Sequence, residues 1–121
     1  MQFDFEKLFV YKKAIELADK TYKLTKKFPR EELVGITSQL RRASVSIALN
    51  IAEGSGRSKK DFKRFLIMAK TSLQECVAIL EISYLQNYIT LQEKEKFYDN
   101  CIELAKMMSG LIKSISPNHE L

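Results

Sequence analysis

Seven cations are the residues best equipped for chemistry: Arg41, Arg42, Arg57, Lys59, Lys60, Lys63 and Arg64. A guanidinium presents a rigid fork of donors that fits phosphate or carboxylate, and lysine adds a compact point charge. Arg57 to Arg64 form the denser group. On a helix Lys60, Arg64 and, less directly, Lys63 fall on neighbouring turns, which predicts a positive patch at one end of the molecule. Arg41 and Arg42 project about 100° apart, so they cannot share one helical seam. Phosphate contact, salt bridges to a neighbouring subunit and plain solvation are all open to that pair. The wider charge distribution agrees: residues 1–60 hold 13 Lys and Arg against 7 Asp and Glu, whereas residues 61–121 hold 7 against 8. A basic half of this kind attracts phosphate at long range.

Catalytic chemistry finds little support. The single histidine, His119, lies in a tail expected to fray, which leaves no oriented base for a serine or cysteine nucleophile. Paired Glu-x-x-His segments, which build dimetal sites in some bundles, are absent. Gly54-Ser55-Gly56-Arg57-Ser58-Lys59-Lys60 has the composition of a phosphate loop, but no strand precedes it and the glycine–lysine spacing is wrong. It reads as a turn between helices. Cys76 and Cys101 are 25 positions apart and neither belongs to a C-x-x-C pair, so they read as reduced core thiols of a cytoplasmic protein. The expectation is a non-enzymatic protein with no catalytic residue, cofactor or metal. The opening residues lack the pattern of a signal peptide, and no apolar run reaches the roughly 20 residues of a membrane span.

Positioning the cations falls to helices. Two prolines and four glycines in 121 residues favour helix throughout. Val10, Ala14, Leu17, Thr21 and Leu24 predict a first helix over about 6–27, ended by Phe28-Pro29 because a residue before proline is pushed out of helical geometry. A second, over about 30–53, has Ile36, Leu40, Ala43, Ile47 and Asn50 on its seam, with a break allowed near Gly35–Ser38. Its further apolar row of Val45, Leu49 and Ala52 calls for a central position or a covering partner. Gly54 is expected to end it in left-handed geometry. Ser58 can cap a third helix, about 58–87, with Phe62, Leu66, Ala69, Leu73, Cys76, Leu80 and Ser83 inward. The fourth, about 91–116, buries Phe97, Cys101, Leu104, Met108, Leu111 and Ile115. Tyr11, Tyr22, Phe62, Phe65 and Phe97 read as core rings, since stacking on bases needs solvent-facing ones. Short connections make neighbours antiparallel. The fold class is therefore all-α, a single domain over 1–121 forming an antiparallel up-down-up-down four-helix bundle. Asn50 in the seam is expected to hydrogen-bond across helices and fix their register, with Glu53 joining the network.

These residues also resemble a known family, the four-helix-bundle proteins encoded within intervening sequences of bacterial 23S ribosomal RNA genes. The likeness spans nearly the whole chain. It is carried by Phe9-Val10-Tyr11-Lys12-Lys13-Ala14, by Leu24-Thr25-Lys26-Lys27-Phe28-Pro29, by Glu32 through Ala43 with its Gln39-Leu40-Arg41-Arg42-Ala43 core, and by Ser46 through Gly54 with Asn50-Ile51-Ala52-Glu53-Gly54. Phe62, Phe65 and Leu66 continue it. Tyr11 stands where the family commonly has tryptophan. The resemblance implies an up-down bundle, a ring-like homopentamer, proximity to ribosomal RNA, and kinship with the accessory proteins of diversity-generating retroelements, which bind nucleic acid and reverse transcriptase. It supplies no catalytic residues. The function expected from residues and resemblance together is an oligomeric bundle binding RNA or a nucleoprotein through the seven cations. The alternative is a scaffold that docks a protein partner, its arginines serving subunit contacts.

Overall fold

The computed structural model describes residues 2–117, and His119 lies outside them. Four α-helices make up the chain: α1 (Phe9–Thr25), α2 (Ile36–Ser55), α3 (Lys59–Leu85) and α4 (Leu91–Ile115). Single 3-10 turns precede α1 at Asp4–Lys7 and α2 at Arg30–Glu32. Side-chain pairs fix the helix directions. Lys13, Lys20 and Lys27 of α1 and its end reach Glu103, Asn100 and Glu93 of α4 in reverse order. Ser46 meets Ser72 at 3.0 Å while Gly54 meets Phe65, so α2 and α3 also run oppositely. Thr25 and Tyr22 at the end of α1 meet Arg41 near the start of α2, so these two also run oppositely and the bundle is up-down-up-down, with α2 and α3 packing most extensively and α1 and α4 least of the neighbouring pairs.

The predicted seams supply most of the core, but Ile36, Asn50, Phe62, Leu111 and Ile115 are only half-buried, and Ala48, Ile51 and Ile79 join the core from outside the predicted seams. Val10, Ala14, Leu17, Leu40, Ile47, Leu66, Leu73, Cys76, Leu80, Phe97, Cys101, Leu104 and Met108 are buried, and burying each large side chain contributes about 1.5–3 kcal/mol. Phe28 and Ile89, from the two loops at one end, close that end of the core. The Phe28 ring packs on Tyr88 at 5.4 Å, and the Tyr88 hydroxyl donates to Glu32 Oε2 at 2.8 Å, joining the two loops. That hydrogen bond holds the Tyr88 phenol above its usual range. We call this the loop end; the α2–α3 turn marks the turn end.

Three helix boundaries differ from the sequence reading. The first helix does not start at 6: Leu8 is extended (φ −73°, ψ 129°), which turns Phe5 back so that its ring meets Tyr11 edge-on at 5.0 Å. The second does not start at 30. Its acidic residues form a separate turn, and Glu32 Oε1 accepts from the Ile36 amide at 3.3 Å, satisfying an orphan donor at the start of α2. Nor does Gly54 end α2, which continues to Ser55; among the described residues no glycine has positive φ. A Cβ at 54 would lie 2.6 Å from Phe65 Cβ and 3.1 Å from Phe62 Cδ1. Glycine is required there for close approach of α2 to α3, not for a left-handed cap. The left-handed residue is Asn87 (φ 63°), just beyond α3. The ends of α3 and α4 agree with expectation to within two residues.

Candidate nucleic-acid interface

The α2–α3 turn builds its basic surface on one ring. Because Gly54 lets the helices touch, Phe65 is buried directly under the turn, and two guanidiniums lie over it: Arg57 at 4.9 Å and Arg64 at 5.1 Å from its centroid. Such cation–π contacts orient a charge without neutralising it. Each arginine also has one carboxylate in its own segment. Glu53 stands 3.7 Å from Arg57, and Asp61 stands 3.6 Å from Arg64. Ser58 caps α3 as expected, its Oγ accepting from the Asp61 amide at 3.2 Å. Lys59 and Lys60 are exposed, and Lys63 is half-buried. Lys60, Lys63 and Arg64 line a groove of about 310 Å³ with Asp61, Ile67 and Met68. Five cations thus cluster around a turn that contains two carboxylates, leaving a net positive surface suited to phosphate.

Arg41 and Arg42 do not join this patch. Arg41 precedes Arg57 by 16 residues, about 24 Å along a helix, and belongs to the loop end. It is half-buried, its Nε donates to Thr25 Oγ1 at 2.9 Å, and its guanidinium lies 4.8 Å from the Tyr22 ring centroid. Arg42 is exposed instead on a groove of about 870 Å³ along the α2–α3 face, which also includes Val45, Ser46, Leu49 and Glu75. The seven cations therefore occupy three places. In the row of Val45, Leu49 and Ala52, Leu49 is 61% exposed and the other two are half-buried.

The predicted Asn50–Glu53 network is replaced by another. Asn50 donates to the Ser46 carbonyl at 2.9 Å and to Ser46 Oγ at 3.1 Å, one turn back in its own helix. Ser46 then makes the crossing to Ser72 of α3. Asn50 is only half-buried, so its amide is satisfied locally. Glu53, one turn on and exposed, pairs with Arg57.

Tyr22, read from the sequence as a core ring, is 44% exposed instead, and two further exposed rings escaped sequence reasoning. Phe3 is 72% and Phe9 76% exposed. Phe3 stacks on Phe5 at 5.8 Å and its amide donates to Glu6, so the ring is held outward. Both rings belong to the turn end, because Phe9 precedes Thr25 by the same 16 residues that separate Arg41 from Arg57 on the antiparallel neighbour. The chain reversal at Leu8 sets Phe3 apart from α1, while Phe9 lies on the outer side of the first turn of α1 with the Lys12 ammonium 5.6 Å from its centroid. The thiols have no such access: burial pushes Cys76 and Cys101 up to about 12. Among the described residues no group of three or more His, Cys, Asp or Glu could hold a metal, and no helix is long and apolar enough to cross a membrane.

The family model described as 23S rRNA-intervening sequence protein matches residues 6–110. A crystal structure of a protein of unknown function from the S23 ribosomal protein family of Bacteroides thetaiotaomicron VPI-5482 superposes with a TM-score of 0.80. It is 28% identical, and the match covers 86% of this chain and 95% of that one. No curated protein matches.

Proposed function

The chain belongs to the 23S rRNA-intervening sequence protein family, and on that premise we propose that it is a non-enzymatic bundle that captures RNA or a nucleoprotein at its turn end. The observation that carries this reading is the pair of guanidiniums aligned on Phe65, with Lys59, Lys60 and Lys63 beside them. Capture is electrostatic and is followed by a fit to RNA shape, with Phe3 and Phe9 offering stacking surfaces to unpaired bases. Arg41 and Arg42 serve other roles. The place of action is the cytoplasm, where two free core thiols stay reduced.

The subunits self-associate, and the homopentamer that the family resemblance implies is the assembly we propose. Support comes from the α2–α3 face, where Leu49 is exposed and Arg42 and Glu75 line one groove without an ion-pair partner among the described residues. Arg42 of one copy against Glu75 of the next would close such an interface. This face also favours the second reading, a scaffold whose assembled surface docks a protein.

Filter binding of a transcribed 23S rRNA fragment across a salt series tests the first reading. Affinity falls as salt rises, and Arg57→Glu/Lys60→Glu/Arg64→Glu weakens binding at least tenfold. The same variant lowers the log–log salt slope by roughly 0.7–0.9 for each phosphate that it leaves without a cation. Salt-insensitive binding, or equal binding by the variant, leaves only the scaffold.

A further inference from the structure

A second cationic surface lies at the loop end, where α1 passes into α2. A pocket of about 240 Å³ there includes Lys26, Arg30, Thr37 and Arg41 in its lining, and no carboxylate. Arg41 is pinned within it. The Thr25 hydroxyl takes its Nε–H and the Tyr22 ring takes its face, which fixes the plane of the guanidinium but brings no negative charge. Among the described residues Arg41, Lys26 and Arg30 have no ion-pair partner. Of the two neighbouring acids, Glu32 accepts from the Ile36 amide with one oxygen and from the Tyr88 hydroxyl with the other, and Glu31 is exposed outside the pocket lining. Thr37 Oγ1, in the same lining, is buried without a hydrogen-bond partner.

A half-buried guanidinium without a counter-charge is costly, and a buried hydroxyl without a partner adds to that cost. An anion would supply the counter-charge that Arg41 lacks, whereas Thr37 Oγ1 is sealed off by its neighbours and does not contact it. We infer that this pocket binds a single phosphate group, with the free Nη donors of Arg41 as the bidentate fork and Lys26 and Arg30 as flanking charges. The pocket has room for one tetrahedral anion, not for a length of nucleic-acid backbone. It is about 24 Å from the turn-end cluster, so the two sites can be varied separately. The phosphate can come from solution or from the end of an RNA chain.

Titration of the full chain with inorganic phosphate, followed by the NMR shift of Arg41 Nε, tests the site. The expected result is a saturable shift that sodium chloride at equal ionic strength does not reproduce. Lys26→Gln/Arg30→Gln, at two exposed positions, weakens it at least tenfold while the amide spectrum stays folded. Arg41→Lys, which keeps the charge and loses the fork, abolishes the thermal stabilisation that phosphate gives. No shift by about 10 mM phosphate, an equal response to chloride, or an unchanged response in the double variant overturns the proposal. So does sedimentation showing that the double variant changes only self-association, since a second copy would then supply the counter-charge. Paired oligoribonucleotides with a 5′-phosphate or a 5′-hydroxyl identify the source: an advantage of the phosphorylated form that Lys26→Gln/Arg30→Gln removes assigns the site to an RNA end. Equal affinity of the two forms, with the inorganic phosphate shift present, assigns it to free phosphate.

Discussion

The two ends of the bundle use the same residue types for opposite purposes. At the loop end, polar side chains bridge separate parts of the chain: Lys27 to Glu93, Arg41 to Thr25, Tyr88 to Glu32. At the turn end two ion pairs are local, Glu53 with Arg57 and Asp61 with Arg64. Aromatic rings divide in the same way. Phe28 plugs the core beneath Tyr88, while Phe3 and Phe9 face solvent. A cation or a ring therefore tells little by type; what matters is whether its partner is distant in sequence. Arg41 shows both uses at once, since its distant partner Thr25 takes only Nε–H and leaves the rest of the guanidinium open to a ligand.

One substitution made at both ends exposes this contrast most sharply. Phe28→Ala should cost about 3–5 kcal/mol in a urea unfolding measurement, as expected for a buried ring. Phe9→Ala should change stability by no more than about 0.5 kcal/mol and should instead weaken binding to single-stranded RNA. Comparable destabilisation by both would erase the distinction. Next in size is Gly54→Val, where side-chain atoms forced against Phe65 should cost about 1–3 kcal/mol and splay Arg57 from Arg64. Gly54→Ala should cost less, because alanine regains about 1 kcal/mol of helix propensity. A neutral Gly54→Val would show that the helices part easily.

The smallest expected effect concerns pH and belongs to the loop end. The Lys27 ammonium holds the Glu93 carboxyl below its usual value of 4.5. A depressed carboxyl contributes stability that is present above 4.5 and is lost as pH falls through its lower folded value. Tyr88 behaves in the opposite sense. With its phenol held above 10.0, its contribution is complete below that pH and disappears as pH rises through the folded value. Glu93→Gln should flatten the acid limb of a stability–pH profile, and Tyr88→Phe the alkaline limb. Limbs that survive these changes would place the titrating groups elsewhere.

The bundle itself was legible because its seams are periodic: Leu66, Ala69, Leu73, Cys76, Leu80 and Ser83 are buried as their spacing predicts. The Ser58 cap was legible too, since its partner is three residues away. Whatever depends on a second helix was not. Gly54 offers the same letter for a left-handed cap and for a close crossing, and only Phe65 decides between them. The cross-links of Ser46 and Arg41 needed the register of their neighbours. Arg41 and Arg42 look alike on paper, yet a rotation of about 100° ties one to Thr25 and leaves the other on an open groove. The cationic turn was readable as a cluster because its members are contiguous, whereas Phe3 on its aromatic flank depended on a chain reversal that no proline or glycine announces.

The ladder from Lys13, Lys20 and Lys27 to Glu103, Asn100 and Glu93 joins the least extensively packed pair of neighbouring helices. Solvent-facing links of this kind weaken as salt is added. Breathing should therefore begin along α1 and α4: native-state amide exchange there quickens with ionic strength, while amides under the Gly54 crossing keep their protection. On that expectation α2 and α3 stay together as salt rises while α1 and α4 loosen from each other.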